Sequence, residues 1–199
     1  MASIRVGIAG YMGSGKTTCS KFFADAGALL INADAEAKSL MQSQPQIQNK
    51  LLLEFGDSIS ENGKISYSRL GSIVFSSKES LLRLNAIVHP PLLEKLRELM
   101  TNPDPEIIVL DAALIPLWNI DSWFDYRIWV DAPGVLRLDR IFKKNPNVTK
   151  ELLQQRMILQ ESTFLPPSTK TWKYILNEDG IDMLSQKVSL VINQIVNRL

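Results

Sequence analysis

Cysteine is nearly absent, with Cys19 the only one in 199 residues. That excludes an intramolecular disulfide and a cysteine-based zinc site, and it suits a reducing compartment. His89 is likewise the only histidine. Neither sign of charge is in surplus. The formal net charge is +1, without the basic stripe that a sequence-independent nucleic-acid binder shows. Long apolar runs are missing too. None approaches the roughly 20 residues needed to span a bilayer, and the opening MASIRVGIAG has no h-region or cleavage pattern of a secretory signal. The expectation is a cytoplasmic monomer with no nucleic-acid and no membrane partner.

What is present suits one compact α/β domain with room for a small appended lobe. Hydrophobic residues make up 45% and charged residues 22%, an ordinary balance for a chain with a real core. Apolar runs predict strands over Ile4 to Ala9, Leu29 to Ile31, Ile107 to Leu110, Arg127 to Val130 and Lys173 to Leu176. Lys16 to Ala26 is predicted helical, with Gly27 as its cap. A last helix should bury Met183, Leu184, Val188, Val191, Ile192 and Ile195 on one face. The middle of the chain has helical patterning around a turn-rich excursion, Asp57 to Ile65, with Asn62-Gly63 as a tight turn. Pro103-Asp104-Pro105 is expected to be a loop. Short apolar strands alternating with helices imply a parallel sheet covered on both faces. Ligands then bind beyond the carboxyl ends of the strands, at an edge lined by Gly10, Asn32, Asp34, Asp111, Asp131 and Asn177.

The most specific signal is Gly10-Tyr11-Met12-Gly13-Ser14-Gly15-Lys16-Thr17, a full match to G-x-x-x-x-G-K-[ST]. Its glycines let the backbone curl so that amides point at phosphate oxygens. The following helix presents its N-terminus to the same anion. Lys16 can reach the β- and γ-phosphates of ATP, and the Thr17 hydroxyl can ligate Mg²⁺. An apolar strand precedes the loop and an amphipathic helix follows it, so a mere connecting turn is disfavoured. Asp131-Ala132-Pro133-Gly134 imitates a nucleotide-switch D-x-x-G, but no N-K-x-D guanine-reading tetrapeptide occurs. It is read as a strand-to-helix turn with Pro133 near the helix start.

A small-molecule kinase needs a base, a metal-supporting carboxylate and a basic lid. Asp34, after the second strand, can accept a hydroxyl proton; it can equally be a helix N-cap for Ala35 onward. Asp111 closes a strand where a carboxylate supports Mg²⁺ or its waters, or is simply a turn residue. Arg137, Arg140, Lys143 and Lys144, then Asn145 to Thr149 and a helix carrying Arg156, read as a lid whose guanidinium groups stabilise the transferring phosphate. The alternative is a solvated helix face.

These residues resemble the dephospho-CoA kinase family along essentially the whole chain. The resemblance rests on Ala9 to Thr17, on Ala28 to Asp34 (ALLINAD), and on Arg69, Phe75 and Leu84-Asn85-Ala86-Ile87-Val88-His89-Pro90. It continues through Val130-Asp131-Ala132, Arg137, Arg140, Arg156, Gln160 and Asn177-Glu178-Asp179-Gly180. It implies a three-layer P-loop kinase fold: a five-stranded parallel sheet flanked by helices, a helical substrate lobe over about 35–100 and a lid over about 137–160. It implies transfer of the ATP γ-phosphate to the ribose 3′-hydroxyl of dephospho-CoA, the last step of coenzyme A synthesis, with Mg²⁺. Asp34 would be the base, with Lys16 and Arg140 also catalytic. ATP contacts are expected from Gly10, Gly13, Ser14, Gly15, Lys16, Thr17, Thr18, Arg137 and Asn177. Substrate contacts are expected from Asp34, Arg69, His89, Asp111 and Arg156, and metal support from Thr17 and Asp111. His89 by itself reads as a structural histidine beside a turn at Pro90, and Trp118, Trp123 and Trp129 as core or as an acceptor wall.

Three departures from the family pattern stand out. Asn32 replaces its first aspartate, and Tyr11 and Met12 replace smaller loop residues. Asp111-Ala112-Ala113-Leu114-Ile115-Pro116-Leu117 lacks its first proline and its glutamate. Another nucleoside or nucleotide kinase, or an ATP-binding protein without catalysis, are the competing readings.

Overall fold

The computed structural model describes residues 3–62, 64–101 and 104–197. In chain order the regular elements begin with β1 (Ile4–Ala9), α1 (Lys16–Asp25) and β2 (Leu29–Asn32). A helical stretch follows: α2 (Ala33–Ser43), α3 (Pro45–Phe55), β3 (Ser60–Glu61), β4 (Lys64–Ile65), α4 (Tyr67–Val74) and α5 (Lys78–Met100). The chain then returns to strands with β5 (Ile107–Asp111), α6 (Ile115–Trp118), β6 (Tyr126–Asp131), α7 (Gly134–Lys144), α8 (Lys150–Thr163), β7 (Lys173–Leu176) and α9 (Ile181–Val196). Two compact units result, Met1–Asn32 with Met100–Leu199, and Ala33–Leu99.

In the first unit five strands pair in the order β2-β5-β1-β6-β7, and every pairing is parallel. Parallel neighbours need crossovers, and the intervening helices cover the faces. All five residues of β5 are buried, as a strand covered on both sides requires. On one face Val6, Ile8, Val109, Ile128 and Val130 meet Cys19 and Phe23 of α1 and Leu184, Val188, Val191 and Ile195 of α9. Burying a side chain such as Phe23 contributes roughly 1.5–3 kcal/mol. Met183 leaves the predicted stripe: it is 40% exposed, because the packed spacing runs through Leu184, Val188, Val191 and Ile195. On the other face Trp129 is fully buried and packs with Tyr11, Phe164 and Tyr174, so this tryptophan is core.

The second unit is helical apart from the short hairpin β3–β4. Asn62 turns that hairpin with φ 51°; its predicted partner Gly63 lies outside the described residues, as does Pro103 of the expected Pro-Asp-Pro loop. Two sequence expectations are corrected here. Pro90 does not form a turn. It lies with Pro91 inside the continuous 23-residue α5, although each proline removes one helical hydrogen bond. Val88, Leu92 and Leu96, four residues apart and all buried, supply the packing that holds the helix across them. Asp34 is not an N-cap either: α2 begins at Ala33, and Asp34 is in its first helical turn. Among the described residues no helix is long and apolar enough to cross a membrane.

Candidate active site

The turn from β1 into α1 builds the site. Gly15 stands at the N-cap of α1 with φ 100°, and no side chain caps the helix. A helix start without a side-chain cap is the kind of terminus that receives an anion. A Cβ at Gly15 would lie 2.2 Å from Asn177 Nδ2, and at φ 100° any L side chain is strained, so the position favours glycine. The helix starts at once, with the Cys19 amide donating to the Gly15 carbonyl at 2.9 Å. Cys19 itself is no nucleophile: burial, reinforced by Asp111, pushes its thiol up to about 12.

In front of the loop lies a cleft of about 380 Å³. Of the residues expected to contact ATP or act in catalysis, Gly13, Gly15, Lys16, Thr17, Thr18, Arg140 and Asn177 line it. Lys144, Asn145, Gly180 and Ile181 line it as well. Sequence reasoning placed Lys144 and Asn145 in the lid and Gly180 in the closing family motif without assigning them to ATP, and did not single out Ile181. The break in helical pattern at Asn145 and the Gly180 turn after β7 were the signals that could have found them.

Lys16 Nζ lies 3.2 Å from Asp111 Oδ1, with the aspartate side chain wholly buried and the lysine 12% exposed. Asn32 Nδ2 donates to the other oxygen, Oδ2, at 3.2 Å. Strand pairing produces this trio, since Asn32 and Asp111 are register partners on β2 and β5. The departure at position 32 thereby has a physical reading. An amide there donates to Asp111, where a second carboxylate would repel it.

Arg140 bridges two chain segments. Its Nη2 donates to the Asn177 carbonyl at 3.0 Å, and its Nη1 sits 3.5 Å from the Gly13 and Ser14 carbonyls. Asn177 Nδ2 in turn donates to the Ser14 carbonyl at 2.8 Å. Ser14 therefore takes part through its backbone, its side chain being buried.

The basic run after β6 splits. Arg137 turns away from the cleft lining: it is buried, pairs with Glu161 and lies 5.2 Å from the Tyr11 ring centroid. Lys143 is exposed and pairs with Asp139 at 2.8 Å, which holds the Asp139 carboxyl below its usual range, chiefly through that hydrogen bond. Only Arg140 and Lys144 of this run reach the cleft. They lie four residues apart, about one helical turn and so on one face of α7, which a count of basic residues does not show. Gly10 and Arg156 are also outside the cleft lining.

The remaining expected substrate residues belong to the second unit. Asp34 is exposed on α2. Arg69 ties down the hairpin, donating to the Ser60 carbonyl at 2.7 Å and pairing with Glu61 at 2.9 Å. His89 is half-buried on α5, and burial pushes its imidazole down to about 4, so it is neutral at pH 7.

The unit bearing the cleft thus combines uncapped helix amides, a lysine backed by a buried aspartate and an arginine clamp, a set suited to a polyphosphate. A family model described as dephospho-CoA kinase matches residues 4–180. The chain is 35% identical over 161 residues to a dephospho-CoA kinase from Thermobifida fusca, covering 80% of each chain. Among solved structures, a protein from Thermus thermophilus superposes with a TM-score of 0.74 at 21% identity, covering 100% of this chain and 99% of the other. Dephospho-CoA kinase from Campylobacter jejuni does so at 0.62 and 21%, covering 97% of each. At that identity the structural likeness speaks to the fold alone, whereas the family match spans most of the chain. This chain belongs to the dephospho-CoA kinase family and is an ATP-dependent kinase.

Proposed function

We propose that this protein transfers the γ-phosphate of ATP to the ribose 3′-hydroxyl of dephospho-CoA, giving coenzyme A and ADP. The observation that carries the phosphate half of this reading is Lys16, held at the cleft by buried Asp111 beside the uncapped α1 amides. The acceptor half is supported by the names of the relatives.

Each residue has a role in this reading. The amides of Gly13 to Thr17 and Lys16 bind the phosphates, with Thr18 at the same helix end. Asn177 and Arg140 line the same cleft and hold the loop carbonyls. Arg140 neutralises charge as the γ-phosphoryl group moves. Asp34 takes the proton of the 3′-hydroxyl. The hydroxyl oxygen forms its bond to the γ-phosphorus as the bond from that phosphorus to the β,γ-bridging oxygen breaks, and ADP leaves. Arg69, His89 and Arg156 are assigned to the acceptor side, and α7–α8 to the lid, on the strength of the family pattern.

Thr17, which lines the cleft, offers a hard oxygen donor, whereas the buried Asp111 carboxylate is already engaged by Lys16 and Asn32 and would support the ion through water; no group of three or more acidic, histidine or cysteine side chains gathers among the described residues. This donor set fits Mg²⁺ that arrives with nucleotide phosphates and keeps most of its waters. Bound there, the ion would neutralise charge on the nucleotide phosphates. We read the protein as cytoplasmic from its lone cysteine, and as a monomer.

The test is an ADP-release assay with ATP, Mg²⁺ and dephospho-CoA, read together with mass detection of coenzyme A. Acceptor-dependent ADP with matching coenzyme A is expected. ATP turnover on nucleosides or nucleoside monophosphates alone would replace the acceptor, and ATP binding without any transfer would remove catalysis from the reading.

A further inference from the structure

Tyr11 and Met12, the two bulky residues in the phosphate loop, pack their side chains against α7, α8 and the segment that follows α8. Met12 packs against Ile141, Leu153 and Met157, the core between those two helices. The Tyr11 hydroxyl donates to the Phe164 carbonyl at 2.8 Å, and its ring meets Trp129 edge-on at 5.1 Å. Met12 is held through its backbone as well: its amide donates to Gln160 Oε1 at 2.7 Å, while Arg140 of α7 approaches the Gly13 and Ser14 carbonyls at 3.5 Å. The next residue, Gly13, has φ 78° and lies so close to α7 that a Cβ would sit 2.6 Å from the Arg137 carbonyl oxygen. The first half of the loop is therefore fixed from the α7–α8 side. The second half is fixed from β7 by Asn177 on the Ser14 carbonyl.

We propose that Gln160 is a positioning residue for phosphate binding: its carboxamide oxygen, carried on α8, holds the Met12 amide and so sets the loop curvature that turns the following amides toward the cleft. Gln160 does not line the cleft, so it acts through the loop rather than on the nucleotide. A hydrogen bond at one point of a tight loop has leverage because each downstream amide direction depends on the dihedrals before it. A neutral acceptor suits this place, since it satisfies the Met12 donor without setting a negative charge beside a polyphosphate.

The proposal rests on the reading of the cleft as the ATP site. Its test uses the full chain with Gln160→Leu, which removes the acceptor at similar size, and Gln160→Asn, which withdraws it by one methylene while staying polar and keeping the fold. KM for ATP, kcat and melting temperature are read, with the backbone amide resonances of ¹⁵N-labelled protein. Both variants are expected to raise KM for ATP about tenfold with kcat changed far less, the loss of roughly one hydrogen bond, and to shift the resonances of Met12 through Lys16 together. Gln160→Glu keeps the acceptor and should leave those resonances near their parent positions. A lower melting temperature with unchanged KM, or a shift confined to Met12, overturns the proposal. Failure of the parent protein to bind ATP would instead overturn the reading of the cleft, and this inference with it.

Discussion

Lys16 and Asp111 form a 3.2 Å ion pair in which the carboxylate is fully buried. An isolated charge in that position is costly, so each partner depends on the other and on Asn32. The lysine we propose for phosphate binding is therefore also the counter-ion of a core carboxylate.

Replacing Lys16 by Ala should lower stability as well as activity. Breaking a buried pair from one side costs about 3–5 kcal/mol, and the unfolding free energy of Lys16→Ala should fall toward that range while phosphotransfer drops at least about 100-fold. The double variant Lys16→Ala/Asp111→Ala should be less destabilised than the sum of the single variants. Additive losses in urea titrations would show that the two side chains are not coupled.

Asp34→Asn separates binding from chemistry. We predict a loss of about 100-fold or more in kcat with ATP affinity within about twofold of the parent, because the amide cannot take the proton. Normal turnover in this variant would remove Asp34 from the base role.

Gly15→Ala should abolish ATP binding even though the change is one methyl group. The new Cβ meets Asn177 Nδ2 at 2.2 Å, and φ is 100°. Strain of about 1–3 kcal/mol at a left-handed residue adds to the steric clash. A second change, Asn177→Ala, would relieve the clash but not the backbone strain, so ATP affinity measured by calorimetry should recover only in part. Full recovery would show that the side-chain clash was the whole effect.

His89 gives the second unit an acid limb. Its folded-state value is about 4 against an ordinary 6.5, because burial disfavours the imidazolium. Between those values the unfolded chain binds a proton that the folded chain refuses. Stability from this group is therefore fully present above about pH 6.5 and is lost as pH falls toward 4. For a half-buried side chain the loss is at most about 3 kcal/mol over that window. Denaturant unfolding from pH 7.5 to 4 should show a shallower decline in His89→Gln than in the parent. Parallel curves would exclude the histidine as the cause.

The local sequence carried much of this protein in advance, and specific residues show where it stopped. Strands such as Ile4 to Ala9 and Lys173 to Leu176 were legible to the residue, because short apolar-rich runs end at the turn residues Gly10 and Asn177. The loop was legible because glycine spacing and a lysine–threonine pair are backbone and ligand requirements in one. The continuity of α5 through Pro90 and Pro91 was not, since it depends on packing by Val88, Leu92 and Leu96 that outweighs a local preference for breaking. The basic run read alike at Arg137 and Arg140, yet one pairs with Glu161 and the other reaches the cleft.

By itself, then, the sequence determined the alternation of strand and helix, the phosphate loop and the family, because each is written in residues close together in the chain. Tertiary structure alone decided that Asn32 and Lys16 share one carboxylate of Asp111, that Asn177 clamps Ser14 and Arg140, and that Gln160 reaches the Met12 amide. Those contacts join residues up to 163 positions apart. Strand order and helix docking bring them within reach, and no local pattern of the chain encodes their distances.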